Sequence, residues 1–172
     1  MTSGLRPPAS ASDETLPSVP CMLLSFRPDI PLISNVRRLA GDLMDSVILD
    51  PDASSRVALT VHELLENTLK YSTDGLAEVT LRVTQGQDGK RKVEVRASNR
   101  ATPEQSAELA RRIDVLLGAS NPMEVYLALM RESALRDGSG LGLARIRVEG
   151  EMQLSLTLDG DQVTISATTQ VE

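Results

Sequence analysis

Residues 77–84 alternate without a break. Ala77, Val79, Leu81 and Val83 are apolar, and Glu78, Thr80, Arg82 and Thr84 between them are polar. A period of two makes a strand with one dry and one wet face. Val93, Val95 and Ala97 repeat the pattern. Leu154, Leu156 and Leu158 face Val163, Ile165 and Ala167 across Asp159-Gly160, a hairpin signal. One-faced strands do not suit a sheet covered on both sides, so amphipathic helices must cover the apolar face. Leu32, Val36, Leu39, Leu43 and Val47 recur every three or four residues, predicting one such helix that ends near Asp50-Pro51. A second is predicted from about Ala53 to Ser72, with Val57, Val61, Leu64, Leu65 and Leu69 on its buried side. The expected fold is α/β: a two-layer sandwich, its sheet mixed but mostly antiparallel, with helices on one face.

The remaining segments fit that plan. Cys21 to Phe26 reads as a short strand, broken by Pro28 and Pro31. Thr102-Pro103-Glu104-Gln105 is a capping box that opens a helix through Leu109, Ile113, Leu116 and Leu117, stopped by Gly118. Asn121-Pro122 starts another helix through Val125 and Leu129, and Asp137-Gly138-Ser139-Gly140 turns into a third, ending near Glu149. Residues 1–20 hold four of the nine prolines and no hydrophobic period, which predicts a disordered tail ahead of one domain over 21–172.

Composition excludes several kinds of function. A net charge of −6 gives no electrostatic footprint for nucleic acid or an anionic membrane. Phe26, Tyr71 and Tyr126 are the only aromatic residues, too few for a base-stacking platform. His62 is the only histidine, so no site can use two His ligands. A single cysteine, Cys21, argues for a reducing compartment. No apolar run approaches the roughly 20 residues that span a bilayer, and no basic-then-apolar secretory signal is visible. Together these predict a cytoplasmic protein.

Two segments carry chemistry. In His62-Glu63-Leu64-Leu65-Glu66-Asn67-Thr68-Leu69-Lys70-Tyr71, Glu63 and Asn67 are one helical turn apart and Lys70 follows three residues later. A carboxylate, an amide and an ammonium therefore share one region. An amide oxygen suits Mg²⁺, and a neighbouring carboxylate can take a proton from an attacking hydroxyl. A solvated helix face with a Glu66–Lys70 ion pair accounts for the same residues. In Gly138-Ser139-Gly140-Leu141-Gly142-Leu143, glycines let backbone N–H groups approach an anion at a helix N-terminus. Plain tight turns use glycine as well. Leu141 and Leu143, alternating with glycine, predict that the loop packs inward.

His-Glu-x-x-x-Asn-x-x-Lys-Tyr followed by Gly-x-Gly-Leu-Gly-Leu-Ala resembles the N box and G2 box of the histidine-kinase-like (GHKL) ATPase superfamily. The resemblance spans roughly residues 21 to 169. It implies a Bergerat-type fold that binds ATP and Mg²⁺, with Glu63 as catalytic base, Asn67 on the metal and Lys70 near the phosphates. Gly138, Ser139, Gly140, Leu141 and Gly142 would wrap the phosphate chain. The superfamily's Asp-x-Gly-x-Gly box is replaced here by Ala97-Ser98-Asn99-Arg100-Ala101, where Asn99 offers an uncharged acceptor to the base. Lack of that box, a strand ending in Asn99, and Leu109, Ile113 and Tyr126 ahead of the glycine loop are similar to the SiaB-like kinases. That likeness implies an anti-sigma-type serine/threonine kinase acting on a small anti-anti-sigma-like (SiaC- or STAS-like) partner in a partner-switching system, and leaves a homodimer open. The missing box also fits an alternative, a module that kept the fold, lost turnover and sequesters its partner.

Overall fold

The five runs expected as strands form β1 (Met22–Phe26), β2 (Ala77–Gln85), β3 (Arg91–Arg100), β4 (Gln153–Asp159) and β5 (Gln162–Val171) of one sheet. The computed structural model describes residues 21–48, 50–85, 89–133 and 140–171, so the expected tail over 1–20 lies outside the described residues. Strand order is β1-β2-β3-β5-β4. All four pairings are antiparallel, so none supplies the parallel pair of a mixed sheet. Apolar residues meet apolar residues across the ladders: Val79 with Ala97, Leu81 with Val95, Leu156 with Ile165 and Leu154 with Ala167. A one-residue slip would turn those side chains to water, so the burial pattern fixes the register.

Helices α1 (Ile30–Val47), α2 (Pro51–Tyr71), α3 (Pro103–Gly118), α4 (Pro122–Ser133) and α5 (Leu141–Val148) complete the element order. Each of the first three starts on a side-chain cap. Asp29 accepts from Leu32 N, Asp50 accepts from Asp52 N and Ala53 N, and Thr102 and Gln105 form a reciprocal capping box. Pro31, Pro51 and Pro103 occupy first turns, where a missing N–H breaks no helical hydrogen bond. Val57, Val61, Leu64 and Leu65 of α2 join Val79, Leu81, Val95 and Ile165 in a single core. α2 lies on β2, β3 and β5 and touches α1 and α5 at its sides. On the opposite face the sheet is polar, and the Ser98 and Thr164 hydroxyls hydrogen-bond across it at 2.8 Å. No helix among the described residues is long and apolar enough to cross a membrane.

Three expectations of burial need correction. α1 buries Ile33, Val36, Ala40 and Met44, whereas Leu39 is exposed and Leu32, Leu43 and Val47 are only half-buried. α1 packs on α2 through this face, and a Cβ placed on the neighbouring Gly41 would make ordinary contact with the Ala58 Cβ of α2 at 3.7 Å. The leucine stripe sits to one side of it. Leu69 and Leu117 are also exposed, and Thr68 takes the buried place at the end of α2, donating its hydroxyl to Leu65 O.

Candidate functional site

The last two turns of α2 run beneath the start of α5. Where they meet, Glu63, Glu66, Asn67, Lys70 and Tyr71 of α2 line a cavity of about 130 Å³ with Gly140, Gly142 and Leu143. Residues of the two segments are thus brought together, although they stand at least 69 positions apart in the chain. Asn67 presents a buried Nδ2 with no hydrogen-bond partner. An unpaired buried amide costs about 1–3 kcal/mol, so a polar guest at Asn67 would relieve a standing penalty. The Glu66–Lys70 pair expected of a plain solvated face does not form. Glu66 turns back to His62 at 3.2 Å, and the Lys70 ammonium lies 5.5 Å from the centre of the Tyr71 ring.

Glu63 is the most constrained of these groups. Its side chain is only 5% exposed. Oε1 accepts a hydrogen bond from Arg145 Nη1 of α5, and a Cβ placed on Gly142 would lie 2.5 Å from Oε2. Gly142 and Arg145 are one turn apart in α5, so one face of that helix clasps the carboxylate. Burial pushes the Glu63 pKa up, partly opposed by the Arg145 charge. Arg145 is itself shared with Glu149, at 3.1 Å, and the Tyr126 hydroxyl of α4 donates to Glu149. The Arg145 hydrogen bond, ahead of that from Tyr126, pulls the Glu149 pKa down.

Gly140 has φ +110°, a left-handed conformation that L side chains rarely adopt. It therefore serves the turn into α5, and its glycine is required by the backbone before any anion is considered. Gly138 and Ser139 lie outside the described residues. Leu143 is buried, while Leu141 is half-buried and does not line the cavity. Asn99 lines a separate cavity of about 280 Å³ beside Asp74, Arg100 and Asp161, and its Nδ2 donates to Arg100 O at 3.1 Å.

Two basic residues at this site escaped the sequence reading. Arg112 of α3 donates to the Tyr71 hydroxyl at 3.3 Å and lies 3.4 Å from where a Gly140 Cβ would be. Arg145 sits behind Glu63. Both occur in ordinary charged helical stretches, and nothing in their spacing separates them from surface arginines.

No family profile and no curated protein matches the chain by sequence. Among solved structures, it aligns with a chain in the crystal structure of the SiaB–SiaC complex from Pseudomonas aeruginosa. The TM-score is 0.60 and the identity 18%, over 87% of this chain and 89% of that one. The histidine kinase domain of the blue-light activated histidine kinase from Erythrobacter litoralis EL346 aligns at TM-score 0.39 and 15% identity, over 79% of this chain and 63% of that one. The antiparallel five-stranded sheet with helices on one face is thus a fold shared with a chain of the SiaB–SiaC complex, and at the level of fold the SiaB-like resemblance holds.

Proposed function

We propose that this chain is a cytoplasmic, Mg-ATP-binding regulatory kinase that phosphorylates a serine or threonine of a small anti-anti-sigma-like partner. The observation that carries the reading is the convergence of Glu63, Asn67 and Lys70 with Gly140 and Gly142 around one cavity. The structural neighbour comes from a two-protein complex, and a small protein partner for this chain is proposed by that likeness.

The residues present fit the metal and phosphate end of such a ligand. The orphaned atom of Asn67 is the Nδ2 donor, which a phosphate oxygen could fill while Oδ1 stays free for the metal. No group of three or more His, Cys, Asp or Glu side chains among the described residues could cage a metal. Mg²⁺ commonly relies on a few protein oxygens together with substrate phosphates. A cavity of about 130 Å³ suits phosphate rather than a whole nucleotide. Bound Mg-ATP supplies the phosphoryl group and a cation that neutralises its oxygens. Asn67 would hold the metal through Oδ1, and Lys70 would approach the phosphates. Glu63 would orient the acceptor hydroxyl and take its proton, a task helped by a raised pKa. Gly140 and Gly142 would line the phosphate chain. Asn99, with Nδ2 held by Arg100 O, would offer Oδ1 to the base.

One observation favours a second reading, the sequestering module. Glu63 already gives Oε1 to Arg145, as a purely structural carboxylate would. Calorimetric titration of Mg-ATP separates the two. The kinase reading expects binding that needs Mg²⁺ and weakens about tenfold or more in Asn67→Ala, a loss of at least ~1.4 kcal/mol. It also expects phosphate transfer to a partner that fails in Glu63→Gln. No binding, or binding without transfer, favours the module. Equal affinity in parent and Asn67→Ala removes Asn67 from the metal.

A further inference from the structure

We propose that Arg145 is a positioning residue for Glu63: its guanidinium, itself fixed by Glu149, grips the buried carboxylate by Oε1, sets its orientation and favours its ionised form. This rests on the reading of Glu63 as the base, but it concerns a residue outside both boxes.

Three features of the geometry point the same way. Arg145 takes Oε1, while Oε2 packs against Gly142, where a Cβ would lie only 2.5 Å from it. The carboxylate is therefore held at both oxygens, by charge at Oε1 and by close packing at Oε2. Second, Arg145 is backed by its own partners: Nη2 and Nε engage Glu149, and Tyr126 donates to Glu149 from α4. A guanidinium fixed on two sides can hold its partner's orientation, because its planar fork loses little freedom per hydrogen bond. Third, a carboxylate this deeply buried drifts toward its neutral form unless a cation stands beside it.

The charged and titratable groups around Glu63 come from four helices. His62, Glu66, Lys70 and Tyr71 belong to α2, Arg145 and Glu149 to α5, Tyr126 stands behind Glu149 from α4, and Arg112 of α3 reaches the Tyr71 hydroxyl. Of these, Arg145 is the cation in direct contact. His62 is engaged with Glu66, and Lys70 lies over Tyr71. Loss of Arg145 would leave burial and two glutamates acting against ionisation, with only His62 opposing them.

The test follows the Glu63 carboxyl carbon by NMR through a pH titration of the full chain without nucleotide, in the parent, Arg145→Gln and Arg145→Lys. Removal of the charge should move the Glu63 midpoint to higher pH, a roughly tenfold fall in its ionisation constant. Arg145→Lys, which keeps the charge and loses the fork, should fall between parent and Arg145→Gln. An unmoved midpoint in Arg145→Gln, or equal midpoints in the two variants, overturns the proposal. Should Arg145→Gln fail to fold, Arg145→Lys against the parent decides alone, and a midpoint equal to the parent's counts against the fork. The acid limb of Mg-ATP turnover should move with the midpoint; a limb that stays in place while the midpoint moves also overturns it. A parent that binds no Mg-ATP sinks the kinase reading, yet leaves the nucleotide-free titration to judge the Arg145–Glu63 coupling.

Discussion

At the scale of single residues, two glycines of one motif turn out to have different jobs. The Gly140-Leu141-Gly142 spacing is plain in the sequence, but its causes are not. Gly140 is needed for its own backbone angle. Gly142 is needed because the Glu63 carboxylate, contributed by a helix 79 positions earlier, leaves no room for a methyl group. No local pattern encodes that contact. Alanine scanning should separate the two. Gly140→Ala should lose about 1 kcal/mol or somewhat more through left-handed strain, while Glu63 keeps its parent titration. In Gly142→Ala the new Cβ would sit 2.5 Å from Oε2, so Glu63 must move. That variant should alter both the urea midpoint and the Glu63 carboxyl resonance. An unperturbed Glu63 resonance in Gly142→Ala would show that the carboxylate does not depend on that glycine.

At the scale of elements, the strands were far more legible than the helix faces. A period of two assigns each residue to one side of a strand, so Val79, Leu81, Val93 and Val95 could be placed in the core before any pairing was known. Helical stripes are wider. Both the stripe Leu32–Val36–Leu39–Leu43 and the stripe Ile33–Val36–Ala40–Met44 satisfy a period of three or four, and they share Val36. Larger side chains favour the first; the packed structure buries the second, whose Ile33, Val36, Ala40 and Met44 join the core. The network joining α2, α5 and α4 is likewise tertiary, and it has a pH signature. Glu63 has a raised pKa, chiefly from burial, so the folded state keeps its proton to higher pH than the unfolded chain does. Its contribution is fully present below the ordinary value of 4.5 and is lost as pH rises through the folded value. Glu149 has a lowered pKa, chiefly from its hydrogen bond with Arg145, so its contribution is present above 4.5 and is lost as pH falls through the folded value. Denaturation of the parent, Glu63→Gln and Glu149→Gln at a series of pH values should therefore give stability differences of opposite slope. Parallel slopes would mean that the two carboxylates do not sit in opposed environments.

At the scale of the whole molecule, the core and the candidate site occupy different places. β5 lies between β3 and β4, and its Val163, Ile165 and Ala167 join the strand and helix residues beneath α2. The cavity lies at the far end of α2 and meets that core at Leu143, while the binding groups expected on α2 stand outside it: Asn67 is half-buried and Lys70 exposed. Folding should not wait for a ligand, and the nucleotide-free chain should unfold cooperatively. A ligand that binds only the folded state adds stability by mass action, about 2.7 kcal/mol at a hundredfold excess over its Kd. Because that ligand would touch α2 and the start of α5 together, its effect should reach both. We therefore expect Mg-ATP to raise the melting temperature in proportion to the logarithm of its concentration, and to slow amide exchange at Leu141–Leu143 as well as in the last turns of α2. EDTA should reverse both effects, and Asn67→Ala should blunt both while leaving the nucleotide-free melting point close to the parent's. Protection confined to α2, with Leu141–Leu143 exchanging as before, would mean that the glycine turn takes no part in binding. In that case the second motif would be a device for seating α5 on Glu63 and nothing more.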